Sequence, residues 1–307
     1  MTLYTERSKN VSKTWLLMLA FTVLVVLCAY AISLYRNINP YVALTLGLGL
    51  SVASGFVSYF YSDRIALSVS RAHETKREEY TELYRIVENL AITAGIQAPR
   101  IYVIEDGAPN AFATGRNEKH SAIAVTTGLL NMLDKSELEG VIAHELSHIG
   151  NRDILIMSVA VVLAGSVSIL SNFFLRSGFG GRRRSSNNDN GGGGLLAILG
   201  LILLILAPLF ATLLRLAVSR KREFVADATA GLITRYPDGL ASALRKIGAY
   251  HTPMMNVNNA TAHLFISDPR GTVSQTGKPR TSLFARLFST HPPIEERITA
   301  LVGQARS

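Results

Sequence analysis

The stretch Val141 to Asp153, VIAHELSHIGNRD, decides how the rest of the chain is read. It sets His144 and His148 four residues apart with Glu145 between them, and Leu138, Val141, Ile142 and Ile149 recur around them at helical spacing. Residues four apart on a helix stand one above the other on one face, so both imidazoles can converge on a single metal ion. Glu145 then stands beside the place of a metal-bound water. A catalytic zinc takes three protein ligands and leaves a fourth position open. The pKa of a water held there falls toward ~7, and a neighbouring carboxylate can take its proton as it attacks a peptide carbonyl. Ser136 and Glu139 are spaced as a capping box for the start of such a helix.

Two histidines leave the ligand set incomplete. The best source of a third ligand is SRKREFVADATAG, at Ser219 to Gly231, where Glu223 and Asp227 are again four apart. On a helix, Glu223 can complete a His, His, Glu set, and Asp227 can accept a hydrogen bond from a ligand imidazole and so fix its tautomer. Taken alone, an E-x-x-x-D pair more commonly marks a solvated charged turn at a helix start. Asp153, five residues past His148, is a further candidate to support the site from behind.

The ordered set HELSHIGNRD (144–153), SRKREFVADA (219–228), ATAHLF (260–265) and THPP (290–293) resembles the HtpX group of membrane-bound zinc endopeptidases. The likeness runs from the first hydrophobic segment nearly to the C-terminus. It implies that His144, His148 and Glu223 bind one zinc ion per chain and that Glu145 is the catalytic carboxylate. It also implies that the Asn-Ala-Phe element at 110–112 lies at the edge of a sheet that holds an extended substrate, which makes Asn110 a substrate contact. His291, ahead of two prolines, would bind the oxyanion or occupy the open metal position at rest. From the residues alone, Asn110 is a loop asparagine and His291 a helix-capping histidine. The substrates implied are misfolded or damaged membrane proteins under stress.

The composition agrees with a chain that spends part of its length in lipid. Of 307 residues, 48% are hydrophobic and only 17% charged, and the mean hydropathy is positive. The net charge of +9 does not point to nucleic acid. The basic residues flank hydrophobic runs, as topology-setting residues do, and no basic patch interleaved with aromatics appears. The single cysteine, Cys28, lies within an apolar run and reads as a small buried hydrophobe.

Residues 1–14 form a polar, basic N-terminus, and two uncharged apolar runs, 15–35 and 41–61, follow as a transmembrane hairpin. A cleaved signal is the competing reading of the first run, but the run is long and a second follows at once. Residues 62–153 make the first part of the catalytic domain. In it, 62–98 reads as one long amphipathic helix, 100–105 and 121–126 as strands, and 106–116 as a turn-rich loop. Apolar stretches 154–175 and 195–214 form a second hydrophobic hairpin around a Gly, Ser, Asn and Arg-rich flexible loop, 176–194. Residues 215–307 return as the second part of the catalytic domain.

One metal reached from both His148 and Glu223 requires an even number of crossings between them. The basic residues Arg64, Arg71, Lys76, Arg77, Arg215, Arg220, Lys221 and Arg222 then place the site and the termini in the cytoplasm, at the cell (inner) membrane. Arg182 to Arg184 disagree if both stretches cross fully, so either the charge rule fails locally or the second hairpin does not span.

These readings converge on an α+β, zincin-like metalloprotease domain, mainly helical with a small sheet, joined to transmembrane helices. The expected partners are the lipid bilayer and polypeptide substrates, not nucleic acid. A membrane protease for specific or lipidated peptides is one alternative. A non-proteolytic scaffold is the other, disfavoured because the ligands and the carboxylate are all present.

Overall fold

The computed structural model describes residues 3–36, 39–179, 220–258, 260–271 and 292–304. The apolar runs fold first as a helical pair, α1 (Leu3–Arg36) and α2 (Pro40–Val69). Within them, Ser8–Tyr30 and Pro40–Val69 are long and apolar enough to cross a membrane. Small residues let the two helices close on each other: a Cβ at Gly47 would lie 2.8 Å from the Cβ of Ala29.

The soluble part begins with β1 (His73–Glu74) and α3 (Thr81–Ala94), followed by β2 (Arg100–Ile104), β3 (Ala111–Asn117) and β4 (His120–Thr126). After the short α4 (Thr127–Met132) comes α5 (Lys135–Gly150), which carries the HELSH string, and then α6 (Asp153–Phe179). Beyond the undescribed stretch lie α7 (Arg220–Thr234), α8 (Pro237–Ala249), a 3-10 turn at Ala262–Leu264 and α9 (Ile294–Gln304). The sheet runs in the order β1-β2-β4-β3, with β2 and β4 parallel and the other pairs antiparallel.

Strand alternation divides the interior into two cores. Ile123 and Val125 of β4 face Val87 of α3, Ile142 and Leu146 of α5 and Leu244 of α8. Ala122 and Ala124 face the other way, toward Leu17 and Phe21 of α1, Leu67 of α2 and the start of α6. Both faces of the sheet are therefore buried, one against the helices that carry His144, His148 and Glu223 and one against the hairpin of α1 and α2. The first three turns of α6 are buried nearly all round, Ile154 to Ala160 without exception. An 83° bend separates α5 from α6, and Arg152 at the corner takes a positive φ of 55°.

Several element boundaries differ from the sequence reading. The expected long helix over 62–98 is three pieces, because α2 continues to Val69 before the chain turns into β1 and α3. The apolar run measures the lipid-facing length, not the helix length, and Asp63 in the overhang pairs with Arg100 at 2.8 Å. The second half of the expected loop 106–116 is β3, its small residues held extended by pairing with β4. Pro237 lies past the end of α7 and opens α8, where its missing N–H costs nothing. The second half of the expected second hydrophobic hairpin, 195–214, and most of the linker 176–194 lie outside the described residues.

The cap of α5 also lies two residues earlier than expected. Asp134 accepts from the N–H of Glu137, and Glu137 accepts in turn from the N–H of Asp134, each at 2.9 Å. The same Glu137 carboxylate takes Ser242 Oγ at 2.7 Å and Lys246 Nζ at 2.6 Å, tying the start of α5 to α8. Burial works to raise the pKa of Glu137, but Lys246, Ser242 and the Asp134 N–H outweigh it and hold the pKa below its ordinary value. A depressed folded-state pKa stabilises the fold above the unfolded value of about 4.3 and loses that contribution as pH falls below it. Glu137→Gln should therefore lower stability by roughly 1–2 kcal/mol at pH 7. Thermal melts between pH 7 and pH 3 should show the gap between wild type and variant closing toward acid.

Candidate metal centre

Three helices meet at the cluster. His144 and His148 project from one face of α5, and α7 crosses that face carrying Glu223. Their Nε2 atoms are 3.2 Å apart. The two carboxylate oxygens of Glu223 lie 3.7 Å from His148 Nε2 and 3.9 Å from His144 Nε2. Each of the three residues offers one ligand atom, and these atoms all lie within 4.8 Å of one another. A tetrahedral zinc with arms of about 2.0–2.1 Å separates its donors by roughly 3.3 Å, so only a small inward movement of Glu223 would close the set.

Behind each imidazole stands a carboxylate. His144 Nδ1 meets Asp227 Oδ1 at 2.9 Å, and His148 Nδ1 meets Asp153 Oδ2 at 3.0 Å. Both Nδ1 atoms are therefore placed to carry the proton, leaving the Nε2 lone pairs directed at the cluster. Asp227, four residues after Glu223, and Asp153, on the first turn of α6, each reach a different histidine. The sequence reading of Asp227 required this helical spacing. Asp153 depends instead on the sharp bend that turns α6 back toward α5.

Two residues that sequence reasoning missed complete the surround. Arg297, on α9 and fully buried, grips Asp227 with Nε to Oδ2 at 2.8 Å and Nη2 to Oδ1 at 2.7 Å, and its Nη1 lies 3.6 Å from Glu223. Asn10, on α1 and also fully buried, donates to Asp153 Oδ1 at 2.7 Å and to the Asn151 carbonyl at 3.1 Å. Arg222 adds a contact to Asp153 Oδ1 at 3.2 Å. The signal for Arg297 was its place in the stripe Ile294, Arg297, Ile298, Leu301, where a charge on an apolar face calls for a buried partner. Nothing in the polar N-terminal stretch distinguished Asn10.

The charges explain what the cluster can hold. Glu145, Glu223, Asp153 and Asp227 are all buried, and among the described residues only Arg222 and Arg297 are buried beside them. With both imidazoles neutral and the carboxylates ionised, two negative charges are left over, the charge of one divalent cation. His148 senses the same excess: burial pulls its pKa down most strongly, but Asp153, Glu223 and Glu145 more than reverse this and push it up to about 9. Glu145, buried and near Glu223, has its carboxyl pKa raised by burial above all, although the two histidines and the Ala113 N–H favour its ionised form. The donor set, the spacing and the charge all fit a dication of zinc's size.

Asn110 is not at the cluster. It is buried, donating through Nδ2 to the Ser267 carbonyl at 3.0 Å and accepting from the Ser267 N–H at 3.2 Å. The outward groups of the neighbouring edge strand are also engaged: the Ala111 carbonyl by the Ile266 N–H at 2.9 Å, and the Gly115 N–H by Ser158 Oγ at 3.2 Å. His291 lies outside the described residues.

Two substitutions test the surround separately. Asn10→Leu, far from the ligands in sequence, should weaken zinc affinity about tenfold in a chelator-competition titration, because Asp153 loses the donor that fixes it. Arg297→Leu leaves Asp227 buried without its partner and should destabilise the metal-free protein by roughly 3–5 kcal/mol. Arg297→Lys, which keeps the charge but lacks the two-pronged geometry, should recover only part of that loss in the same melt.

Comparison with known proteins places the chain in a family. Residues 76–305 match the profile of Peptidase family M48. "Protease HtpX homolog" of Thermoanaerobacter pseudethanolicus is 46% identical over 98% of this chain and 97% of its own. The protein of the same name from Pyrococcus furiosus is 45% identical over 94% of each chain. A crystal structure of S. mikatae Ste24p covers 97% of this chain and 67% of that one, at 19% identity and a TM-score of 0.49. With two membrane-length apolar helices beside a peptidase domain of this kind, the chain belongs to peptidase family M48 and, within it, to the HtpX-type membrane metalloproteases.

Proposed function

We propose that His144, His148 and Glu223 hold one zinc ion per chain and that the protein is a zinc-dependent endopeptidase with Glu145 as its catalytic carboxylate. The observation that carries this reading is the convergence of the three donors, with a carboxylate behind each imidazole and Glu145 alongside. Zinc, when bound, supplies Lewis acidity that lowers the pKa of water and polarises a carbonyl. Glu145 accepts a proton from the attacking water and returns it to the departing amine. Burial raises the pKa of the Glu145 carboxyl above its ordinary value, which strengthens it as a base toward the attacking water. Asp227 and Asp153 hold the imidazole rings in one tautomer while charge builds up, and Arg297 keeps Asp227 ionised.

An extended substrate beside β3 would compete with the Ile266 N–H for the Ala111 carbonyl. The proposed contact at Asn110 therefore depends on the 260–271 segment moving aside. His291, close in sequence to α9, is kept as the candidate oxyanion donor. The catalytic domain is assembled from residues 62–153 and 215–307 around the second hydrophobic hairpin, 154–214, and it faces the cytoplasm of the cell membrane on the strength of the basic residues beside the apolar runs. Membrane proteins that are misfolded or damaged are the proposed substrates, in keeping with a site held directly against the membrane hairpin.

Glu145→Gln should retain zinc while cleavage of an unfolded reporter polypeptide in detergent falls by about a thousandfold. Undiminished cleavage would remove Glu145 from the mechanism. Chelation should abolish wild-type activity, and stoichiometric zinc should restore it. Activity that survives complete zinc removal would refute the metal assignment.

A further inference from the structure

Away from the metal cluster, a cavity of about 400 Å³ opens where the last turns of α2 meet the sheet. Phe56, Phe60 and Tyr61 of α2 form one wall, and Arg100, Arg116 and Lys119 form another. Arg64 adds a fourth cation, against a single carboxylate, Asp63. Asp63 is engaged by Arg100 at 2.8 Å. Among the described residues, Arg64, Arg116 and Lys119 form no ion pair. Arg64 lies over the Tyr61 ring at 5.7 Å, and Arg116 over the Phe60 ring at 5.2 Å while donating to the Phe60 carbonyl at 3.2 Å. Cations held by rings and a backbone carbonyl keep their full charge and present it to the cavity.

The height of the cavity along the helical pair identifies what it meets. Trp15 of α1 stacks on Tyr59 of α2 with ring centroids 6.1 Å apart. Together with Phe60 and Tyr61 they form an aromatic belt at the end of the hairpin nearest the sheet, and Lys13 and Arg64 follow within a turn or two. Aromatic rings followed by basic residues mark the level of lipid headgroups. The β3–β4 hairpin, closed by the Asn117 and His120 pair, carries Lys119 at its tip to this same level. Phe56, 56% exposed, stands one turn further along α2 toward the apolar side. The cavity thus offers cations where a phosphate sits and an apolar wall where an acyl chain leaves it.

We propose that this cavity binds the headgroup phosphate of an anionic phospholipid and so seats the peptidase domain against the bilayer. The inference rests on the membrane hairpin and not on the assignment of the metal or the catalytic carboxylate. Arg116 and Lys119 contact the phosphate, Arg64 closes the site from α2, and Arg100 with Asp63 forms its floor. A free phosphate shares the recognition chemistry but has no use for the Phe56 wall.

Protein purified in a non-ionic detergent should be titrated with dioctanoyl phosphatidylglycerol and bound lipid followed by native mass spectrometry. Saturable binding is expected, with dioctanoyl phosphatidylcholine at least tenfold weaker. Arg116→Gln combined with Lys119→Gln should weaken phosphatidylglycerol binding about tenfold or more, given the usual contribution of a basic residue near an anionic surface. Lys119→Glu, at an exposed hairpin tip where folding is not at stake, should weaken it on its own. The pair Arg85→Gln and Arg245→Gln removes the same charge from exposed sites outside the cavity and should leave binding unchanged. The proposal fails if the cavity variants bind like wild type, if the control pair loses as much as they do, or if phosphatidylcholine binds equally well. Displacement of the lipid by equimolar inorganic phosphate would overturn the lipid assignment in favour of the free ion.

Discussion

The structure depends on keeping four buried carboxylates next to two imidazoles in a space that excludes most water. Unpaired buried charge costs several kcal/mol per group, so every element near the cluster is arranged around that cost. Arg297 brings α9 across the domain to meet Asp227, and Arg222 turns the start of α7 toward Asp153. With the imidazoles neutral and the carboxylates ionised, the remaining excess of two negative charges is one that a dication would balance.

The same constraint couples the site to the membrane part of the chain. Asp153 orients His148, and it also accepts from Asn10 on the first helix. The bend at Asn151 and Arg152 makes this possible by carrying the chain from the metal helix directly into α6, where its first turns are enclosed by α1, α2 and β3. The hairpin is thus part of the wall of the site as well as an anchor. Its aromatic belt and the cationic cavity on the sheet fix how far the domain stands from the lipid.

Much of this was legible in the sequence because it rests on short-range periodicity. His144, Glu145 and His148 announce themselves by spacing on one helix, whereas Glu223 and Asp227, also four apart, stood out only through the family resemblance. What could not be read depends on contacts between distant segments. Arg297 looks like an ordinary charge on an amphipathic helix until Asp227 is placed opposite it. Asn10 belongs to a stretch that reads as a solvated tail, yet it is buried under the bend. The capping signal of α5 occurs at two offsets, Asp134 with Glu137 and Ser136 with Glu139, and the first prevails because Ser242 and Lys246 on α8 wait for Glu137. β3 was missed because Ala111, Ala113 and Gly115 have little strand preference of their own, and its neighbour β4 imposes the extended form.

The burial of Asn10 against the start of α6 bears on how this enzyme can be handled. A truncation before Pro40, designed to yield a water-soluble fragment, would remove a hydrogen-bond donor from the surroundings of His148 along with Leu17 and Phe21, which share a core with Leu155 to Met157, Val159 and Ala160. Excision would therefore expose an oily trough and loosen the ring next to it in the same cut. Solubility and a well-held His148 are competing goals in this architecture, because the first helix of the hairpin also supports the carboxylate behind that ring.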